Sequence, residues 1–163
     1  MATIRVQHED FDAGHEIAAL RADNPAIGAI ACFVGLVRDV NEGDSITGMT
    51  LEHYPGMNEN ALAAIAEEAA QRWHIYTSLI IHRVGLMRPT DQIVLVAVAS
   101  SHRGDAFPAC EFIMDYLKQR APFWKQENTP HGQRWVNARC ADAFAEQRWN
   151  TPPSGNIVAQ ETA

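Results

Sequence analysis

The chain has 163 residues and a mass of 18.1 kDa, a length that suits one domain with a sizeable core. Hydrophobic residues make up 47% and charged residues 20%, and the formal net charge is -7 with a pI of about 5.4. This excess of acid argues against a general binder of nucleic acids or anionic membranes. We predict one domain over residues 1–149, followed by a flexible tail at 150–163 that lacks any periodicity.

The cysteines and the N-terminus indicate a reducing compartment. Cys32, Cys110 and Cys140 are widely spaced, form no CxxC pair and lie in apolar settings, so we interpret them as buried thiols. The N-terminus has no apolar signal core, and no apolar run approaches the length that spans a membrane. We therefore expect a cytoplasmic protein.

Apolar periodicity predicts alternating strands and helices along the chain. Residues 26–37 are apolar with small side chains throughout, which is typical of a central strand, and Gly35 near its end indicates a bulge. After a polar loop, residues 46–54 are predicted to return as a strand and to form an antiparallel hairpin with the first. The other predicted strands are 3–6, 75–84, 92–99 and 133–138, with a loop at 85–91; the predicted helices are 13–22, 58–73, one that contains Lys118, and 142–149. This order predicts an α+β fold.

The most informative stretch covers residues 110–127. Its first half predicts an amphipathic helix, because apolar residues recur at helical spacing: Cys110, Ile113, Met114 and Leu117. Pro122 ends that helix, and Lys118 and Lys125 flank the break with Phe123 and Trp124 between them. The helix dipole alone also favours a lysine in a last turn, and aromatic pairs also pack in cores. A functional site and a purely structural corner both stay open on spacing alone.

Positive charge is concentrated in one region of this acidic chain. Between positions 118 and 139 a single acidic residue, Glu127, is accompanied by five basic ones: Lys118, Arg120, Lys125, Arg134 and Arg139. Such a local excess predicts a site for a small anion. Cations that gather closely lower each other's affinity for protons, so a lysine there can be partly neutral and nucleophilic.

Further basic residues follow the ends of predicted strands. His102 and Arg103 lie where a buried strand gives way to a helix, with Asp105 as the predicted N-cap, and backbone N–H groups at a helix start favour an anion. Arg38 has a similar place after the strand that contains Gly35. We expect these ends to converge with the two lysines on one pocket, although a histidine that caps a turn beside a solvated arginine is the plainer alternative.

Several other chemistries have little support. The chain contains no HExxH and no CxxC, so a zinc site is poorly supported. It also lacks GxGxxG and GxxxxGK[ST], which argues against nucleotide binding through those motifs. Ser101 and His102 are adjacent without a GxSxG turn, and buried apolar thiols such as Cys32 and Cys110 are usually inert.

Three motifs carry a family resemblance: LEHYPGM at 51–57, SHR at 101–103, and FIMDYLKQRAPFWK at 112–125. They resemble the large, catalytic subunit of molybdopterin synthase over most of the chain. The resemblance implies an α/β hammerhead-like fold with a mixed, mostly antiparallel sheet. It also implies a cytoplasmic sulfurtransferase of molybdenum cofactor biosynthesis that needs no metal or cofactor of its own.

In that family a small ubiquitin-like subunit carries sulfur as a C-terminal thiocarboxylate. Two sulfur transfers convert cyclic pyranopterin monophosphate to molybdopterin. Two large subunits form a central homodimer, with a small subunit at each outer end of the heterotetramer. The resemblance therefore implies those partners for this chain, and an open groove beside Phe123 and Trp124 through which the extended tail of the partner enters.

The same resemblance assigns roles to individual residues. It implies that Lys118 lies beside the incoming thiocarboxylate and that Lys125 is its partner for substrate. The remaining residues implied to bind substrate are Arg38, His102, Arg103, Glu127 and, from the neighbouring protomer, Arg139; the pocket of Arg38, His102 and Arg103 is one that can be assembled across the dimer interface. Phe33, Met114 and Phe123 are implied to shape the walls of the site, with core packing as the alternative. Leu36 and Gln126 stand where relatives often have basic residues, which removes positive charge near the site.

Two other functional hypotheses remain at this stage. One is a non-catalytic module that binds a phosphorylated ligand or a ubiquitin-like tail. The other is a hydrolase that uses Ser101 and His102.

Overall fold

A computed structural model describes residues 1–136 and 140–150. Within them the strands are β1 (Ala2–Gln7), β2 (Ala29–Leu36), β3 (Val40–Asn41), β4 (Asp44–Ser45), β5 (Gly48–Glu52), β6 (Ile75–Arg83), β7 (Gly85–Met87), β8 (Gln92–Ser100), β9 (Trp124–Thr129) and β10 (Gly132–Val136). The helices are α1 (Ala13–Arg21), α2 (Met57–Arg72), α3 (Arg103–Arg120) and α4 (Cys140–Gln147), and a 3₁₀ turn follows at Arg148–Asn150. The predicted α+β class is confirmed.

The first sheet has the order β1-β6-β8-β2, and only β1 and β6 are parallel neighbours in it. Side chains alternate between the faces of a strand, so β8 supplies apolar residues to both sides. Val94, Val96 and Val98 pack with α2 and α3, whereas Leu95 and Ala97 face the side that α1 covers. Both faces are covered, as the apolar run at 92–99 predicted.

The second sheet is antiparallel, with the order β10-β9-β5-β7. Its core contains Met49, Leu51 and Met87, against which Phe123 packs. Helix α3 joins the sheets: it starts after β8, ends at Arg120 as the proline predicted, and leads directly into β9. The last turn of α3 therefore lies next to the start of the second sheet.

The predicted pairing of residues 26–37 with 46–54 is wrong. β2 pairs with β8 at an edge of the first sheet and is not central, whereas β5 pairs with β7 and β9 in the second sheet. Apolar content identified both strands, but it does not specify which strand is the partner. The bulge is confirmed: the register shifts between Gly35 and Leu36, and a Cβ on Gly35 would come 2.8 Å from Val94 Cγ1.

Other differences are local. β7 lies within the predicted loop at 85–91, and β9 was not predicted. His102, and not Asp105, is the N-cap of α3, since its backbone is extended (φ -138°, ψ 149°) and Asp105 already lies in the first turn. The predicted tail falls outside the described residues except for Asn150, so the domain boundary stays a prediction. None of the helices in the described part of the chain combines the length and apolarity that a bilayer crossing needs.

Substitution of Gly28, where the chain enters β2, tests the contact between this strand and the residues just before α3. A Cβ at Gly28 would lie 2.2 Å from the backbone oxygen of Ser101, so Gly28→Ala must displace backbone. We expect it to lower the free energy of unfolding by about 1–3 kcal/mol, measured by urea denaturation. Gly104→Ala is the matched control, because nothing lies within 4 Å of a Cβ there. Equal stability of the two variants would contradict the prediction.

Candidate functional site

A groove with a volume of about 580 Å³ opens at one edge of the second sheet. Antiparallel pairing brings the end of β5, the start of β9 and the end of β10 to this edge, with Glu52 opposite Trp124 and Lys125 opposite Val136. The groove is lined by Glu52, His53, Tyr54, Phe123, Trp124, Lys125, Trp135 and Val136. It lies beside Phe123 and Trp124, where the resemblance implied an opening.

Lys125 lies between this groove and a second, smaller cavity of about 40 Å³. The smaller cavity is lined by Leu36, Val37, Arg38, Asn41, Ile46, Met49, Ile93, Lys125 and Glu127. Residues two apart on a strand face the same side, so Lys125 and Glu127 are neighbours, and Lys125 Nζ lies 3.1 Å from Glu127 Oε1. The structure thus brings together three predicted residues, Arg38, Lys125 and Glu127.

Glu127 is a buried carboxylate, with only 2% of its surface exposed. Burial alone raises the pKa of this group, but hydrogen bonds from Asn41, Lys125 and Arg134 outweigh it, and the net pKa is lowered. Asn41 Nδ2 donates to both carboxylate oxygens at 2.9 and 3.1 Å, and Arg134 Nη2 donates to Oε2 at 3.2 Å. Glu127 is therefore charged and fixes Lys125 in place.

The short hairpin of β3 and β4 is fastened to the same carboxylate. Arg134 Nη1 donates to Asp44 Oδ2 at 2.7 Å, and Arg134 Nη2 also donates to the backbone oxygen of Asn41 at 2.9 Å. Arg38, just before the hairpin, donates to Asn41 Oδ1 at 3.4 Å. Arg38 is thus linked through Asn41 to Glu127 in the distant strand β9.

A buried histidine lies behind the groove. The ring of His82 stacks on Phe123 with centroids 3.7 Å apart and an interplanar angle of 10°, and 5% of the residue is exposed. Its Nδ1 lies 2.9 Å from the backbone oxygen of Arg83, and because that oxygen only accepts, Nδ1 carries the proton. Burial is the largest cause that lowers the pKa of His82 to about 4; the charges of Lys118 and His53 act in the same direction, and the hydrogen bond to Arg83 opposes them.

Lys118 is exposed in the last turn of α3 and lies within electrostatic reach of His82. His82 in turn stacks on Phe123, two residues before Lys125. Lys118 is therefore near the His82 ring that backs the groove, whereas Lys125 lines the groove itself. Within residues 1–136 and 140–150, no three His, Cys, Asp or Glu side chains gather in a way that could hold a metal ion.

Comparison with known proteins identifies the family. A family model described as MoaE protein matches residues 6–120. The chain belongs to the MoaE family. It is 64% identical over 149 residues to the molybdopterin synthase catalytic subunit of Ralstonia nicotianae, covering 91% of this chain and 85% of that relative.

Solved MoaE structures share the fold. The molybdopterin biosynthesis MoaE protein of Burkholderia ambifaria is 60% identical, with a TM-score of 0.80 over 93% of this chain and 99% of that one. A molybdopterin synthase structure from Staphylococcus aureus is 31% identical, with a TM-score of 0.75 over 82% and 96% of the two chains. The resemblance inferred from the three motifs is confirmed.

His102 and Arg103 do not join the groove within one MoaE chain. Both are exposed at the start of α3, and at 1.5 Å per residue Arg103 lies roughly 22 Å along the helix from Lys118. Arg38 and Lys125 therefore share a cavity, whereas His102 and Arg103 do not reach it within a single protomer. Arg139 lies outside the described residues.

The wall residues and cysteines have mixed outcomes. Met114 is buried in the main core, whereas Phe33 is 43% exposed on the edge strand.

Cys32 is exposed, contrary to the prediction. Burial raises the pKa of the Cys110 thiol to about 12, as expected for an inert buried thiol. The side chain of Cys140 lies outside the described part.

Sequence reasoning did not identify Asn41, His82 or Arg134 as site residues. Asn41 was part of a polar loop, and it contacts Glu127 across 86 positions of the sequence, a separation that no local spacing reveals. Arg134 was counted only as a positive charge. An apolar strand interrupted by a histidine at 82 was the one available signal for that residue.

The lowered pKa of His82 predicts a pH dependence of stability. Between about pH 6.5 and 4 the unfolded chain binds a proton at His82 that the folded chain does not. The contribution of neutral His82 to the free energy of unfolding is therefore fully present above about pH 6.5 and is lost as the pH falls to about 4. The shift corresponds to roughly 3 kcal/mol in the free energy of unfolding. Urea denaturation of His82→Phe should show a shallower slope with pH than the wild type. His15→Gln, in the exposed helix α1, should keep the wild-type slope, and identical slopes for all three proteins would refute the assignment.

Proposed function

We propose that the chain is the catalytic subunit of a molybdopterin synthase. In this reaction cyclic pyranopterin monophosphate becomes molybdopterin, with sulfur from the C-terminal thiocarboxylate of a small ubiquitin-like subunit. The observation that carries the proposal is Lys125 in the groove of a MoaE-family chain, with Lys118 within electrostatic reach of His82 behind it. The relatives of the chain are molybdopterin synthase catalytic subunits. The reaction belongs to molybdenum cofactor biosynthesis, and we propose a cytoplasmic location for it.

Lysine usage supports a chemical role for the pair. Lys118 and Lys125 are the only two lysines among 163 residues, and the other basic residues of the 13 are arginines. An arginine keeps its proton in proteins, whereas a lysine amine can release a proton and act as a nucleophile or an acid. A chain that uses arginine everywhere else has lysine at the two positions where proton transfer is useful.

The groove suits the proposed sulfur donor. Its aromatic walls, Tyr54, Trp124 and Trp135, offer apolar surface to an extended peptide, and Lys125 offers a positive charge for the terminal thiocarboxylate. Lys118 and Lys125 together stabilise negative charge that develops on the acyl oxygen during transfer. A dithiolene contains two sulfur atoms, so each product consumes two thiocarboxylates.

The smaller cavity suits the phosphate-bearing substrate. Arg38 and Lys125 both line it, and a planar guanidinium beside an ammonium group is a common arrangement for a phosphate. Glu127 belongs to this cavity mainly as the carboxylate that holds Lys125, so its contribution to substrate binding is indirect.

His102 and Arg103 require a second copy of the chain to take part. We propose a homodimer in which these residues, with Arg139, complete the site of the neighbouring protomer, and a heterotetramer once a small subunit binds at each end. The exposed edge strand β2 supports such pairing, since Phe33 and Leu36 are 43% and 52% exposed there.

Substitution of Lys118 tests the catalytic role. We expect Lys118→Ala to lower the rate of dithiolene formation by at least about 100-fold, because charge stabilisation in the transition state is lost. The assay mixes the protein with thiocarboxylated small subunit and cyclic pyranopterin monophosphate, and binding of the small subunit should be unchanged. Arg21→Ala is the matched control, since Arg21 is also basic and in the last turn of a helix, α1.

Two outcomes of this assay decide the other hypotheses. A wild-type protein that binds both partners and yields no product would be a binding module. Unchanged turnover in Ser101→Ala would remove the hydrolase hypothesis.

Mixed dimers test whether the site is shared between copies. Lys118→Ala and His102→Ala should each be inactive alone. After the two variants are mixed and allowed to exchange subunits, half of the dimers contain one intact site, so about a quarter of wild-type activity should return. No recovery, in a mixture shown by mass spectrometry to contain mixed dimers, would place both residues in the same protomer's site. An active His102→Ala variant would remove His102 from the site.

A further inference from the structure

Arg134 contacts two carboxylates beside the proposed phosphate cavity. Its Nη1 lies 2.7 Å from Asp44 Oδ2, and its Nη2 lies 3.2 Å from Glu127 Oε2. Glu42 is a weaker neighbour, 4.0 Å away and well exposed. The other oxygen of Glu127 faces Lys125 Nζ at 3.1 Å. The guanidinium therefore lies between the hairpin of β3 and β4 and the buried carboxylate.

The charges of this cluster have a simple balance. Arg38, Lys125 and Arg134 carry three positive charges, against one each on Glu127 and Asp44; Glu42 is left out because its side chain is 67% exposed and its charge is screened by solvent. With Arg134 in place one positive charge is in excess, which suits an anionic ligand. Without Arg134 the two carboxylates would cancel the charges of Arg38 and Lys125.

We propose that Arg134 is a positioning residue for substrate binding: it engages Glu127 and Asp44 together and leaves Arg38 and Lys125 available to the substrate phosphate. This inference rests on the proposed function. Arg134 itself does not line the smaller cavity, whose residues include Arg38, Asn41, Lys125 and Glu127. It acts through the carboxylates that those residues contact.

Burial decides which of the two carboxylates matters more. Glu127 is 2% exposed, so water cannot replace the bonds that Arg134 gives it, and the buried charge would bind Lys125 more tightly instead. Asp44 is partly exposed and is screened by solvent and salt. Loss of Arg134 should therefore weaken the binding of the phosphate chiefly by occupying Lys125.

Arg134 also holds the β3–β4 hairpin in place, and the experiment must distinguish this mechanical role from the charge-balancing one. It donates to the backbone oxygen of Asn41 as well as to Asp44, and so fastens the hairpin that follows Arg38. A purely mechanical role and a charge-balancing role both predict that Arg134→Gln is harmful. The two roles differ in what they predict for Asp44→Asn, which removes a negative charge and also weakens the contact between Arg134 and the hairpin.

The experiment measures KM for cyclic pyranopterin monophosphate and kcat in the complete synthase with its small subunit. Arg134→Gln should raise KM about tenfold and change kcat by less than about threefold. Adding Asp44→Asn to Arg134→Gln should recover about twofold of the lost KM, because one positive charge is again in excess while Glu127 still occupies Lys125. The KM difference between Arg134→Gln and wild type should also shrink as salt is raised.

Controls separate the outcomes. Arg5→Gln breaks the ion pair between Arg5 of β1 and Glu16 of α1, and should leave KM unchanged. Should Arg134→Gln fail to fold, Asp44→Asn alone decides: charge balance predicts a KM no higher than wild type, and a mechanical role predicts a higher one. An unchanged KM in Arg134→Gln, or a double variant no better than the single one, overturns the inference. An inactive wild-type complex would instead overturn the proposed function.

Discussion

The candidate site depends on one buried carboxylate. A charge as inaccessible to water as that of Glu127 is tolerated only if donors surround it, and here Asn41, Lys125 and Arg134 supply them. Each donor comes from a different strand, β3, β9 or β10, so satisfying the carboxylate also holds these strands together. The same requirement sets the position of Lys125 and brings the hairpin close enough for Arg38 to share a cavity with it.

Helix α3 imposes the second constraint. Because it is continuous through 18 residues, the groups at its two ends cannot meet in one protomer. Its C-terminal end carries Lys118 towards His82, behind the groove, and its N-terminal end carries His102 and Arg103 away from it. One chain therefore presents a groove and a cavity that contain only part of the positive charge found in the sequence motifs.

The sequence was sufficient for features governed by local rules. Apolar runs located β6 and β8, proline fixed the end of α3, and Gly35 marked a bulge because no side chain fits there. The pairing of β2 and β5 failed, since the partner of a strand depends on contacts made across the whole chain. The same holds for Asn41 and Arg134, whose importance arises from a carboxylate that only folding brings beside them. His82 was missed because one histidine in an apolar strand reveals neither its stacking partner nor its protonation state.

Because lysine is scarce, chemical labelling of amines would be selective for the candidate site. Reductive methylation with ¹³C-formaldehyde would label two lysine side chains, Lys118 and Lys125. One of the two resonances would report on the groove that Lys125 lines, and the other on the last turn of α3. Arrival of a phosphate or of a carrier tail could be followed by NMR without altering any other residue.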